Sequence, residues 1–136
     1  MRESKGEYRG GKGKGYARVH VSQVSEDTNG KVSVALDDDP WNAPLKAGTY
    51  PEWIEAAVYG SQYALDTARI TWGNWEVRRI VGTDADTYHA LVVIAAARAI
   101  WNCCDFRPAQ AAEDRLIEHA NAFRFSGAPH HLTEGT

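Results

Sequence analysis

A glycine- and lysine-rich stretch, residues 10–15, runs directly into a segment in which apolar and polar residues alternate. This alternation, over residues 16–24, is the period of a β-strand that is buried on one face only. The apolar set is Ala17, Val19 and Val21, and the polar set is Arg18, His20 and Ser22. A half-buried strand has to pair within a sheet and needs a second layer over its apolar face, so the chain is predicted to contain a sheet with a covered side.

Two turn signals predict further strands. Residues 31–37 alternate again, and the preceding Asn29-Gly30 is typical of a tight turn, which predicts a hairpin with the first strand. Gly73-Asn74 separates residues 69–72 from residues 75–81 and predicts a second hairpin. Residues 38–48, with two prolines, are predicted to be an irregular connection.

Helical spacing of apolar residues predicts three helices, over residues 51–66, 87–104 and 108–125. Gly60 lies inside the first of them and is expected to mark close packing on the sheet. The order strand, strand, helix, strand pair, helix, helix predicts an α+β two-layer sandwich, one sheet covered by helices. At 136 residues, of which 43% are hydrophobic, a single domain over residues 15–125 is expected, followed by a disordered tail over residues 126–136.

The N-terminal residues are basic within a chain whose net charge is −3. Residues 1–18 contain six basic side chains and two acidic ones, so any anion-binding face has to be local. Five glycines between positions 6 and 15, with charged neighbours, leave little apolar surface to bury. Residues 1–14 are therefore predicted to be a flexible basic arm, either a phosphate-binding loop or a segment that only keeps the chain soluble.

Catalytic and metal-binding patterns are weak. Asp84 and Asp86 precede a predicted helix, where carboxylates usually compensate the helix dipole, and no common nucleophile, phosphate-loop or zinc motif occurs. Cys103 and Cys104 are adjacent, which suits neither an unstrained disulfide nor a zinc site. We therefore expect no enzymatic activity, no cofactor and no metal. With no apolar targeting segment after Met1 and no membrane-length apolar run, we expect a cytoplasmic protein without a membrane partner.

The motifs occur in an order that resembles a known family. GGKGKGYARVHV, residues 10–21, resembles the opening of domain IV of elongation factor G, the ribosomal translocase. YPEWIEAAVYG, residues 50–60, resembles the first helix of that domain, and residues 69–100 resemble its following strand, loop and small-residue helix. The similarity extends from residue 9 to about residue 104. It implies a left-handed β-α-β crossover, against the usual handedness.

The resemblance also implies a non-catalytic domain whose tip, made of two loops, contacts RNA in the decoding region of the ribosome. The loops correspond to residues 10–15 and 82–86, with Gly11, Gly13, Gly82, Thr83 and Asp84 as tip positions. The residues expected to bind nucleic acid are Arg9, Lys12, Lys14, Arg18 and Arg78. The family has a histidine near the position of Gly82, whereas this chain has none there and has acidic residues after it.

Two functions follow from these observations. The first is a stand-alone relative of domain IV that binds ribosomal or other structured RNA through its basic glycine-rich loop. The second is a protein-interaction module with the same fold but no RNA binding, which self-associates as a homodimer through its last helix.

Overall fold

The computed structural model describes residues 2–10, 15–25, 30–83 and 87–126. Within these residues a mixed four-stranded sheet has helices packed on it, which confirms the predicted α+β class and is compatible with the two-layer sandwich. The elements are β1 (Arg2–Arg9), β2 (Tyr16–Ser25), β3 (Lys31–Val34), α1 (Ala43–Lys46), α2 (Pro51–Thr67), β4 (Asn74–Val81), α3 (His89–Cys103) and α4 (Gln110–Ala122).

The strand order is β1-β2-β4-β3, with β4 antiparallel to β2 and parallel to β3. The predicted hairpin between β2 and β3 is therefore wrong, because β4 lies between these two strands. A turn signal predicts a change of chain direction, but it does not determine which strand occupies the neighbouring position. Helix α2 connects the parallel strands β3 and β4, as a parallel pair requires, and completes a β-α-β unit.

The second predicted hairpin is also wrong, since only β4 is a strand in residues 69–81. Arg69 has a φ of 57°, and the Ile70 amide donates to the Leu65 carbonyl at 2.9 Å, so these residues terminate α2. The indole Nε1 of Trp75 donates to the Trp72 carbonyl at 3.1 Å, and the two rings lie 6.0 Å apart. Trp72 and Trp75 therefore contact each other at the end of the α2–β4 connection and not across a hairpin.

Strand β1 lies within the segment predicted to be a flexible arm, and here the structure differs from the prediction. It pairs antiparallel with β2 along its whole length, from Arg2 opposite Gln23 to Arg9 opposite Tyr16. A Cβ atom on Gly6 would lie 2.3 Å from both the Ala95 carbonyl oxygen and the Ala99 nitrogen. The absence of a side chain, which suggested flexibility, instead allows β1 to contact the backbone of α3.

Helix α3 is the centre of the second layer, with 12 buried residues in its 15. It packs on β1 and β2 and also contacts the other two long helices. A Cβ atom on Gly60 of α2 would lie 2.1 Å from the Val93 carbonyl oxygen. Gly60 therefore marks close packing, as predicted, but against α3 rather than against the sheet.

The last helix covers its own domain. Ala112, Leu116 and Ala120 on α4, and Phe123 just after it, are buried in the hydrophobic core region. The Phe123 ring lies 5.0 Å from that of Tyr59 on α2 and 5.3 Å from that of His89 at the start of α3. Because the helices cover one face of the sheet, charged and polar side chains occupy the other, which we call the uncovered face.

Candidate nucleic-acid interface

The two predicted tip loops lie at the same end of the sheet. The Thr87 hydroxyl donates to the Tyr16 carbonyl at 2.6 Å and accepts from the Thr83 amide at 2.8 Å. Thr83 lies within the second loop and Thr87 directly follows it, and Tyr16 begins the strand that follows the first. A Cβ atom on Gly82 would lie 2.6 Å from the Thr87 hydroxyl oxygen, so glycine leaves the room that this contact needs.

A backbone hydrogen bond between the first and last residues of the first loop closes its base. The Gly10 amide donates to the Gly15 carbonyl at 3.0 Å, and Gly15 has a φ of 87°, a conformation that favours glycine. The four residues that join these glycines lie outside the described residues; they are Gly11, Lys12, Gly13 and Lys14. Asp84 in the second loop also lies outside the described residues. Both loops are nevertheless joined covalently to this end of the sheet.

Arg9 and Tyr16 face each other at the base of the first loop. The Arg9 guanidinium carbon lies 4.8 Å from the centre of the Tyr16 ring, within cation–π range. The Tyr16 hydroxyl donates to the Glu7 carboxylate at 3.0 Å. Burial and this carboxylate raise the pKa of Tyr16, which keeps the hydroxyl protonated and able to donate.

Arg18 lies on the uncovered face, directly opposite Glu7 in the register of β1 and β2. The Glu7 carboxylate interacts with Tyr16 instead, and the buried Nε of Arg18 has no hydrogen-bond partner among the described residues. An unpartnered guanidinium nitrogen is costly to bury, and an anion would satisfy it. Arg18 is therefore the predicted nucleic-acid residue whose surroundings best suit an anionic ligand.

Arg78 is bound by carboxylates on its own protein. Its Nε donates to Asp37 at 2.8 Å, and its Nη1 donates to Glu76 at 2.8 Å. Hydrogen bonds to Asp37, and then to Glu76, raise the pKa of Arg78. A phosphate would have to compete with two carboxylates, so we do not include Arg78 in the interface.

A buried asparagine holds Arg78 at a β-bulge. Between His20 and Val21 the register of β2 against β4 shifts by one residue, which leaves Arg78 without a partner on β2. Asn42 is fully buried, and its Nδ2 donates to the carbonyls of Asp37 and Arg78, each at 2.9 Å. Its Oδ1 accepts from the Ile80 amide at 3.3 Å. Asn42 thus connects the β3–α1 segment to the bulged strand.

The sequence patterns did not predict that Lys5, His20 and Arg79 form one row across the uncovered face. Lys5 is opposite His20 on one side, and Arg79 is opposite His20 on the other. The alternation in β2 did place His20 beside Arg18 on the polar face, but the neighbours of β2 could not be predicted without the strand order.

Catalytic or metal-binding clusters are not evident in the described part of the chain. No group of three or more His, Cys, Asp and Glu side chains converges there. Burial raises the pKa of the Cys103 thiol, and burial and Cys103 raise that of Cys104 to about 11, so both are protonated near neutral pH. No helix among the described residues is long and apolar enough to cross a membrane.

Comparisons with known proteins concern the fold. No family model and no curated protein matches the sequence. The structure is similar to the protein ttk003000868 from Thermus thermophilus, with a TM-score of 0.51 and 17% identity over 76% of this chain and 16% of that chain. Mevalonate kinase from Methanococcus jannaschii is similar with a TM-score of 0.47 and 10% identity, over 88% of this chain and 44% of that chain.

The chain thus spans less than half the length of either protein. At 17% identity, the likeness to the Thermus thermophilus chain shows the fold alone. That likeness, with the parallel β3-α2-β4 unit in a mixed sheet, is consistent with the fold that the sequence resemblance implies. The chain thus shares an α+β fold with that Thermus thermophilus chain.

Proposed function

We propose that this protein is a non-catalytic RNA-binding module that binds ribosomal or other structured RNA through the end of the sheet from which the two tip loops start. One observation carries the proposal: the Thr87 hydroxyl bridges the second loop to Tyr16, directly after the first loop. The bridge gathers residues that are distant in sequence into one surface, the tip surface, defined by Arg9, Tyr16, Arg18, Gly82, Thr83 and the two loops.

The charge of the tip surface supports this function. Arg9 contacts an aromatic ring rather than a carboxylate, and Arg18 forms no ion pair among the described residues. Lys12 and Lys14 add two positive charges by covalent connection to the closed base. Cations that are not neutralised by the protein release counterions from phosphates and produce salt-dependent affinity.

The aromatic content of the tip surface also suits RNA. Tyr16 presents a ring next to an arginine, and Tyr88, after the second loop, is 52% exposed. Unpaired bases stack on such rings, whereas phosphates pair with the arginines. The acidic Asp84 and Asp86 oppose RNA binding at the second loop, so the first loop should contribute most of the affinity.

The test is an RNA titration at two salt concentrations, with a short RNA hairpin as the probe. Replacing both loop lysines, Lys12→Ala with Lys14→Ala, should weaken binding and reduce the slope of log K against log salt by roughly 1.4–1.8, because two phosphate contacts are lost. The melting temperature should not change, since neither lysine belongs to the described core.

The matched control is Lys31→Ala with Lys46→Ala, which removes the same charge elsewhere. Lys31 is opposite Asn74, at the far end of β4 from the tip surface, and Lys46 lies 3.6 Å from an exposed Asp38 carboxylate. Equal effects of the two double substitutions would indicate a general charge effect and overturn the assignment of the tip surface. Absence of RNA binding at low salt would refute the proposed function itself.

The alternative is a protein-interaction module without RNA binding, which predicts a dimer in solution. The apolar stripe of α4 is buried against its own domain, so a dimer would have to use the outer face of that helix or another surface. A dimeric mass together with no RNA binding would favour this alternative.

A further inference from the structure

The centre of the uncovered face holds a cluster of cations around one histidine. His20 of β2 lies between Lys5 of β1 and Arg79 of β4, in direct register with both. Arg18 lies two residues before His20, and therefore on the same face of β2. A depression of about 210 Å³ lies beside the cluster and is lined by His20, Arg78 and Arg79 together with the acidic Glu3 and Asp37; Lys5 and Arg18 lie outside it.

The carboxylates near this cluster already have partners. Asp37 and Glu76 bind Arg78, and Asp39 accepts from Arg79 at 2.7 Å. On β1, Glu7 accepts from Tyr16 at 3.0 Å and Glu3 from Ser22 at 3.5 Å. Asp37, Glu76 and Asp39 are thus paired with arginines, whereas Glu7 and Glu3 accept from neutral hydroxyls and keep their negative charge.

The cations are less well satisfied. Among the described residues neither Lys5 nor Arg18 forms an ion pair. Two buried nitrogens, Nε of Arg18 and Nε2 of His20, have no hydrogen-bond partner there. The patch therefore holds two buried nitrogens without a hydrogen-bond partner and two cations without an ion pair, which an anion could satisfy.

We propose that the uncovered face binds a phosphate group between Lys5 and Arg18, beside His20. The proposal rests on the proposed function in that the backbone of a bound RNA would supply the phosphate, as the molecule extends from the tip surface along β2. Free phosphate has the same chemistry and is the other possible source.

Phosphate binding should change the protonation of His20. In the free protein, burial and then the charges of Arg79, Arg18 and Lys5 lower the pKa of His20, and Asp39 opposes them only in part. His20 is therefore neutral near neutral pH. An anion among these cations offsets their repulsion and raises the pKa, so binding takes up a proton and strengthens as the pH falls.

The first experiment measures RNA affinity between about pH 8 and about pH 5.5, the range in which a histidine titrates. At constant salt, affinity should increase as the pH falls, by at most about tenfold per pH unit for one proton. His20→Gln should remove this dependence. His119→Gln is the control, because His119 lies on α4, against Tyr63 and on the other layer, and should leave the dependence intact.

The second experiment follows the His20 imidazole by NMR during a pH titration, with and without inorganic phosphate. Phosphate should raise the pKa of His20. Lys5→Ala should reduce the shift, whereas Lys31→Ala, at the far end of the sheet, should not.

The outcomes separate the two proposals. RNA binding that requires the loop lysines but does not vary with pH, with no effect of phosphate on His20, would overturn the phosphate site and leave the proposed function standing. A phosphate-dependent pKa of His20 without any RNA binding would overturn the proposed function and support a site for free phosphate. Equal pH dependence in His20→Gln and in the unchanged protein would overturn the role of His20.

Discussion

Replacing Gly6 with alanine tests whether the N-terminal segment is a packed strand or a flexible arm, because only the packed strand predicts a loss of stability. In the structure the added Cβ would lie 2.3 Å from two backbone atoms of α3, at Ala95 and Ala99. Backbone atoms of a buried helix cannot rotate away as a side chain can, so β1 or α3 has to move. Overpacking of this kind typically costs about 1–3 kcal/mol.

A flexible arm would behave differently. Such an arm is disordered in the folded as well as the unfolded protein, so alanine reduces its conformational freedom equally in both states and leaves the free energy of unfolding nearly unchanged. A cost of about 1–3 kcal/mol corresponds to a melting temperature lower by roughly 4–15 °C for a domain of this size. Detachment of β1 would add the exposure of apolar surface that it covers on α3.

The assay is thermal unfolding combined with hydrogen exchange of the β1 amides. Ser4→Ala is the matched control, because position 4 is on the same face of β1, already has a Cβ atom and loses only a hydroxyl group. We expect Gly6→Ala to lower the melting temperature and the protection of β1, and Ser4→Ala to change neither by much. An unchanged or higher melting temperature for Gly6→Ala, with unprotected amides in the unchanged protein, would refute the packing of β1 on α3.

Two further predictions concern the β-bulge and the thiols. Asn42→Ala should lower the free energy of unfolding in urea by about 2–4 kcal/mol, because the buried Ile80 amide and the Asp37 carbonyl lose a hydrogen-bond partner. A change within about 0.5 kcal/mol, the usual range for surface substitutions, would show that the bulge does not depend on Asn42. Because the pKa of Cys104 is raised to about 11, little thiolate exists in the folded protein near pH 8, so iodoacetamide should modify Cys104 much more slowly than in the unfolded chain, and more rapidly as the pH rises toward that value. Equal rates in the folded and the unfolded protein would show that the thiol is not shielded.

Periodicity alone predicted the elements that have a strong internal pattern. The strand expected over residues 16–24 is β2, and the helices expected over residues 51–66, 87–104 and 108–125 correspond to α2, α3 and α4 within a few residues. Each of these elements buries a continuous apolar face, so the spacing of its apolar residues within a short window of sequence predicts it. The α+β class follows from their order, and the family resemblance is consistent with the observed fold.

The pairing of the strands required the tertiary structure. Residues 31–34 have the apolar pattern of a strand whether they lie beside β2 or beside β4, and only the parallel crossover through α2 decides between them. Likewise, Gly6 gives no periodic signal for β1, because its contribution is to let two backbones approach closely. Both features depend on contacts between residues far apart in the chain.

The candidate site likewise has a part that the sequence predicted and a part that required the tertiary structure. The sequence predicted Arg9, Arg18 and the glycine-rich loop as candidates, because a local concentration of basic residues is visible without any fold. It could not show that Asp37, 41 positions earlier in the chain, binds Arg78, or that Lys5 and Arg79 flank His20. Charge is a property of each residue, whereas its neutralisation is decided by the neighbours that strand order and register bring together.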